Sequence, residues 1–64
     1  MISNIIEEKT FGNVSIAMRS GFDKPYAVSY TKDGICTSWL EFSNGEDAYE
    51  DFWARVDFEE IQNH

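Results

Sequence analysis

One cysteine, one proline and one histidine are all that this chain carries of three residue types that often organise small domains. A lone Cys36 excludes an internal disulfide and any zinc site built from several thiolates. It lies in the apolar, strand-like run ICTSWLEF and is expected to be a small buried hydrophobe. His64 is the last residue, where chain ends fray and a general base is poorly held. The four glycines, Gly12, Gly21, Gly34 and Gly45, are scattered and form no phosphate-binding loop. No apolar run approaches the roughly 20 residues that a bilayer crossing needs. The opening MISNIIEEKTF lacks the basic start and unbroken apolar stretch of a secretory signal. The acidic segments GEDAYED and DFEE lack the ligand spacing of a calcium loop. These absences argue against an enzyme, a metal or a cofactor. They lead us to expect one small cytoplasmic domain spanning residues 1–64.

The scarcest commodity is positive charge in the last third. Residues 1–45 balance Glu7, Glu8, Asp23, Asp33 and Glu41 against Lys9, Arg19, Lys24 and Lys32. Residues 46–64 set Glu46, Asp47, Glu50, Asp51, Asp57, Glu59 and Glu60 against Arg55 alone, so nearly all of the net charge of −7 resides there. A field of that sign disfavours direct contact with nucleic acid or an anionic membrane and favours a basic protein partner.

What the chain does have is apolar material. Hydrophobic residues make up 42% of the 64, and ten are aromatic, enough for a small core and unlike a disordered acidic tail. A chain this short still buries only about 60% of the surface its unfolded form exposes, so its stability is marginal.

The apolar residues fall into two periods. In NVSIAMR, Val14, Ile16 and Met18 alternate with polar or small neighbours, the two-residue period of a half-buried strand. SGFDKP, with Gly21 and Pro25, reads as a loop. YAVSYT then places Tyr26, Val28 and Tyr30 on one face. Asp33-Gly34 between two alternating runs predicts a tight hairpin. In the strand that follows, simple alternation sets Ile35 with Trp39 on one face and Cys36 with Leu40 and Phe42 on the other. Ile2–Glu8 is a further candidate strand.

From Ser43 onward the period lengthens. SNGE has the spacing of a capping box, Ser43 to Glu46, that starts a helix. Ala48, Phe52 and Val56 form its apolar stripe, widened by Tyr49 and Trp53, with the carboxylates mostly opposite. DFEE repeats the capping spacing, so the helix is expected to break at Asp57 and restart as a short turn docked by Phe58 and Ile61. The predicted fold is α+β: an antiparallel sheet of three to four strands with one C-terminal acidic amphipathic helix packed on it.

The acids exceed what solvation of a helix face demands. Glu46 and Asp47 favour the helix start by about 0.3–1 kcal/mol each. Glu46 with Glu50, and Asp47 with Asp51, are like-charge i,i+4 pairs that cost roughly 0.2–0.5 kcal/mol each. Such a ridge matches a lysine- and arginine-lined groove made for phosphates. Carboxylates one turn apart are about 6 Å from each other, against one duplex charge per roughly 1.7 Å of axis or roughly 3.4 Å along one strand, a compatibility rather than a register. The candidate partner-binding residues are therefore Glu46, Asp47, Glu50, Asp51, Asp57, Glu59 and Glu60, with Trp53 as an aromatic anchor at their edge. The other candidate is a small interaction or dimerisation module that pairs through an exposed edge at Tyr26–Thr31 or the first strand.

In brevity, acidity, plain sheet-plus-helix pattern and lack of catalytic residues, the whole chain resembles small acidic phage-encoded counter-defence proteins, the anti-CRISPR and anti-restriction inhibitors. The resemblance is one of character, without a shared motif. It implies direct binding to a defence nuclease or its DNA-recognition subunit, blocking target DNA. We therefore expect a monomer that binds a basic nucleic-acid-handling protein, such as a CRISPR-Cas or restriction subunit.

Overall fold

Strand alternation and turn chemistry together produce a four-stranded meander. A computed structural model describes residues 5–62. In it β1 (Ile5–Phe11), β2 (Val14–Arg19), β3 (Tyr26–Lys32) and β4 (Ile35–Phe42) form one antiparallel sheet in the order β1-β2-β3-β4. The single helix, α1 (Gly45–Gln62), follows and packs across one face. The first three residues of the expected strand Ile2–Glu8 and the terminal His64 lie outside the described residues; the remainder of that strand extends on to Phe11.

The Asp33-Gly34 hairpin forms as expected. Asp33 and Gly34 have φ of 55° and 80°, the left-handed pair that matches a two-residue turn to the twist of its strands. The adjacent β1–β2 turn is tied to it: the Asp33 amide donates to the Asn13 carbonyl at 3.0 Å, and the Asn13 side chain donates to the Asp33 carboxylate.

Val14, Ile16 and Met18 of β2 and Val28 of β3 meet Ala48, Phe52 and Val56 of α1 in the core, with Phe11, Tyr26, Tyr30 and Phe42 around it. Phe52, Ile16, Met18 and Val28 are the largest side chains fully removed from water, each stabilising by about 1.5–3 kcal/mol.

The face away from the helix is partly covered as well, which two-residue alternation does not foresee. Ala17, Ala27 and Ser29 are buried there. Their cross-strand neighbours are long: Ser29 lies opposite Trp39, and Ala27 lies between Arg19 and Glu41. Residues directly opposite in a ladder share a face, so these side chains screen the small residues between them.

Three expectations are corrected. The pairing of β3 with β4 shifts between Tyr30 and Thr31, which face Ser38 and Cys36, leaving Thr37 as a bulge. The extra residue inverts the alternation before it. Ile35, opposite Lys32, therefore shares the helix side with Leu40 and Phe42, while Cys36 joins Trp39 on the open side. Cys36 is consequently exposed rather than buried. Finally, Tyr26–Thr31 is no edge, since β3 is paired on both sides and the edges are β1 and β4.

Candidate functional site

The start of the acidic helix lies one residue later than the capping pattern suggests. Asn44, not Ser43, is the cap: its side-chain oxygen accepts the Asp47 amide at 2.8 Å, and its carbonyl accepts the Ala48 amide at 3.4 Å. Its amide nitrogen donates to the Asp47 carboxylate at 3.1 Å. This satisfies an orphan N–H of the first turn and places Asp47 beside the positive end of the helix dipole. The helix then runs unbroken through DFEE to Gln62, so the expected restart at Asp57 does not occur. Val56 and Glu59 are both buried one turn apart, and that continuous inner stripe carries the helix across the site. Phe58 and Ile61 stay exposed instead of docking.

At 100° per residue this register sorts the acids into three groups. Glu46, Glu50, Asp57 and Glu60 are exposed and fall on one outward stripe with Trp53, at steps of four and three residues. The stripe spans about 21 Å from Glu46 to Glu60 at 1.5 Å per residue. None of its four carboxylates forms an ion pair with a described residue. Trp53 is 41% exposed. It packs edge-on against Phe52, with centroids 5.2 Å apart, and the Lys9 ammonium of β1 lies 5.7 Å from its ring centroid.

The second group faces β4. Asp51 is paired with Arg55, with Nε donating at 2.8 Å across one helical turn. Asp47, Glu50, Asp51 and Ala54 line a depression with Phe42. It continues past Asp51 and Ala54 to Tyr30, Arg55, Phe58 and Glu59.

Glu59 stands alone and is the one residue of the predicted set that the fold withdraws from the surface. It is 7% exposed and accepts a 2.6 Å hydrogen bond from the Tyr30 hydroxyl of β3. That bond, followed by burial and the nearby carboxylate charge, raises the Tyr30 pKa above its ordinary 10.0. Glu59 ties helix to sheet and is a structural residue. Its i,i+3 and i,i+7 spacing from Val56 and Phe52 placed it on the inner stripe, a position its charge obscured.

A second polar cluster, absent from the predicted set, occupies the open sheet face. The Glu41 carboxylate accepts the Trp39 indole N–H at 2.9 Å. It also accepts the amides of Phe22, Asp23 and Lys24 at 3.3, 2.9 and 2.8 Å. The indole and amide donors hold its pKa down at about 2. Phe22 stacks on Trp39 at 5.3 Å between centroids, and the Arg19 guanidinium lies 5.8 Å from the same ring. Gly21 is required at this loop, because a Cβ there would sit 2.2 Å from the Lys24 carbonyl oxygen. Spacing offered one hint: Trp39 and Glu41, two apart on a strand, share a face.

Among the described residues, no three His, Cys, Asp or Glu side chains form a group able to hold a metal ion, and no helix is long and apolar enough to cross a membrane. No protein-family model, curated protein or solved structure matches the chain.

Proposed function

We propose that the protein is a non-catalytic acidic inhibitor. It binds the basic surface of a nucleic-acid-handling protein, such as a CRISPR-Cas or restriction subunit, and keeps nucleic acid from that surface. One observation carries this reading: the exposed stripe of Glu46, Glu50, Asp57 and Glu60, rigidly presented on a capped helix and without internal counter-charges. The helix backbone that carries them is already ordered, so it loses little freedom on docking. A lysine- and arginine-lined groove gains from them what it gains from phosphates, the release of counterions. Trp53, half exposed at the edge of the stripe, supplies an aromatic anchor of the kind that concentrates binding energy. Asp47 and Asp51 extend the field toward β4, with Asp51 paired to Arg55. Glu59 takes no part in the contact.

The experiment is affinity capture from bacterial lysate with the tagged protein, followed by challenge with duplex DNA. The expected result is a basic nucleic-acid-binding protein that duplex DNA displaces and that the Glu50→Lys/Asp57→Lys variant fails to retain. A partner indifferent to both DNA and the charge reversal overturns the reading.

A further inference from the structure

The two edges of the sheet are defended unequally. β1, IIEEKTF, carries Glu7, Glu8 and Lys9, and its pairing is irregular between Ile5 and Glu7. Charges and bulges of this kind keep an edge from pairing with another chain. β4, ICTSWLEF, has one charged side chain in eight residues, and that one, Glu41, is turned toward the Phe22–Lys24 amides and the Trp39 indole. Apart from the bulge at Thr37, no described residue guards it. Ser38–Phe42 pairs with Tyr26–Tyr30 in unbroken register and leaves its other side open.

The surroundings of that edge are shaped and charged. Ile35 and Leu40 point to the helix side yet are 66% and 44% exposed, because the buried stripe of α1 is seated on β2 and β3. The flank of α1 beside them presents Ala54, an exposed Phe58 and the Arg55–Asp51 pair, then Asp47 and Glu50 beside Phe42. The result is a trough with exposed apolar side chains toward one end and the carboxylates of Asp47 and Glu50 toward the other.

We propose that β4 receives a strand from another protein. The incoming segment is extended, with apolar residues at alternate positions followed on the same face by a lysine or arginine. Its backbone completes the ladder of β4, its apolar residues cover Ile35, Leu40 and Phe58, and its cation meets the carboxylates around Phe42. Charge decides against a second copy. A β4–β4 seam would bring Asp47 and Glu50 of each helix toward one another, with Arg55 already committed to Asp51 and no lysine or arginine on β4 to offset them. This inference shares Glu50 with the outward stripe but does not depend on the stripe's proposed function.

Fluorescein-labelled peptides test it, in which valine alternates with threonine and two lysines occupy one end or the other. Two controls accompany them: one with glutamates for the lysines, and one with alternate backbone amides N-methylated. Binding is read by anisotropy at physiological salt and located by amide hydrogen exchange. At least one lysine peptide is expected to bind and to slow exchange along β4, with both controls weaker by about tenfold or more. Leu40→Lys and Ile35→Lys, both at exposed positions and checked for native amide spectra, are each expected to weaken it similarly. Glu46→Lys/Asp57→Lys on the outward stripe leaves peptide binding unchanged, although it abolishes capture of a DNA-displaceable partner. Equal binding of the N-methylated peptide, absence of protection on β4, or self-association that Leu40→Lys abolishes would overturn the proposal.

Discussion

Single residues set how this small domain responds to pH. Tyr30 has a raised pKa because its proton is shared with Glu59, so the folded state binds that proton more tightly than the unfolded chain does. The stabilisation is complete below pH 10 and is lost as pH rises through the raised value. Tyr30→Phe removes the hydrogen bond to a buried carboxylate and is expected to cost about 1–3 kcal/mol in urea denaturation at neutral pH. The gap between variant and wild type should close above pH 10. Glu41 behaves in the opposite sense. Its pKa is lowered from 4.5 to about 2, so its stabilisation is present above pH 4.5 and lost as pH falls toward 2. Glu41→Gln should therefore be less stable than wild type at pH 7, with the difference shrinking over that acidic interval. Both residues carry ordinary polar labels in the sequence. Tyr30 depends on a partner 29 positions away, and Glu41 on amides 17–19 positions away as well as on Trp39 two positions away; only the last contact is encoded in local pattern.

At the scale of elements, the sequence was legible wherever local chemistry decides. Val14, Ile16 and Met18 are buried together, Asp33-Gly34 turns the hairpin, and Ala48, Phe52 and Val56 seat the helix. It misled where one residue shifts a pattern. Ser43 and Asn44 are both good caps, and only the tertiary position of the first turn selects Asn44. Asn44→Ala is accordingly expected to lower stability by about 0.5–2 kcal/mol, whereas Ser43→Ala should stay within about 0.5 kcal/mol, as thermal melts of the two variants will show. The Thr37 bulge is a similar case: nothing in TSW marks an unpaired residue, yet it moves Ile35 to the helix side and Cys36 to the open face. The expected break at DFEE does not occur: Glu59 lies on the buried stripe one turn after Val56 and accepts a hydrogen bond from Tyr30 there.

Across the whole molecule, charge and apolar surface are sorted by face. The outward side of α1 carries Glu46, Glu50, Asp57 and Glu60; the β4 side of the molecule carries Leu40, Ile35 and Phe58. The first feature was legible in the sequence, because helical periodicity alone separates those carboxylates from the core. The second was not, because it depends on strand order, on the bulge and on where the helix is seated. Under the proposed function, neutralising the stripe should weaken partner binding and leave the fold intact, since those four side chains are exposed and none forms an ion pair with a described residue. Binding through the stripe must also respond to salt, as exposed charges do when the screening length falls from about 30 Å at 0.01 M to about 10 Å at 0.1 M. The most direct test is the affinity of the captured partner for wild type and for Glu46→Lys/Glu50→Lys/Asp57→Lys across a salt series, with and without duplex DNA. The account predicts affinity that falls steeply with salt for wild type, competition by the duplex, and loss of both affinity and salt response in the variant. A salt-independent affinity shared by the two proteins, with DNA and inhibitor bound to the partner together, would contradict it.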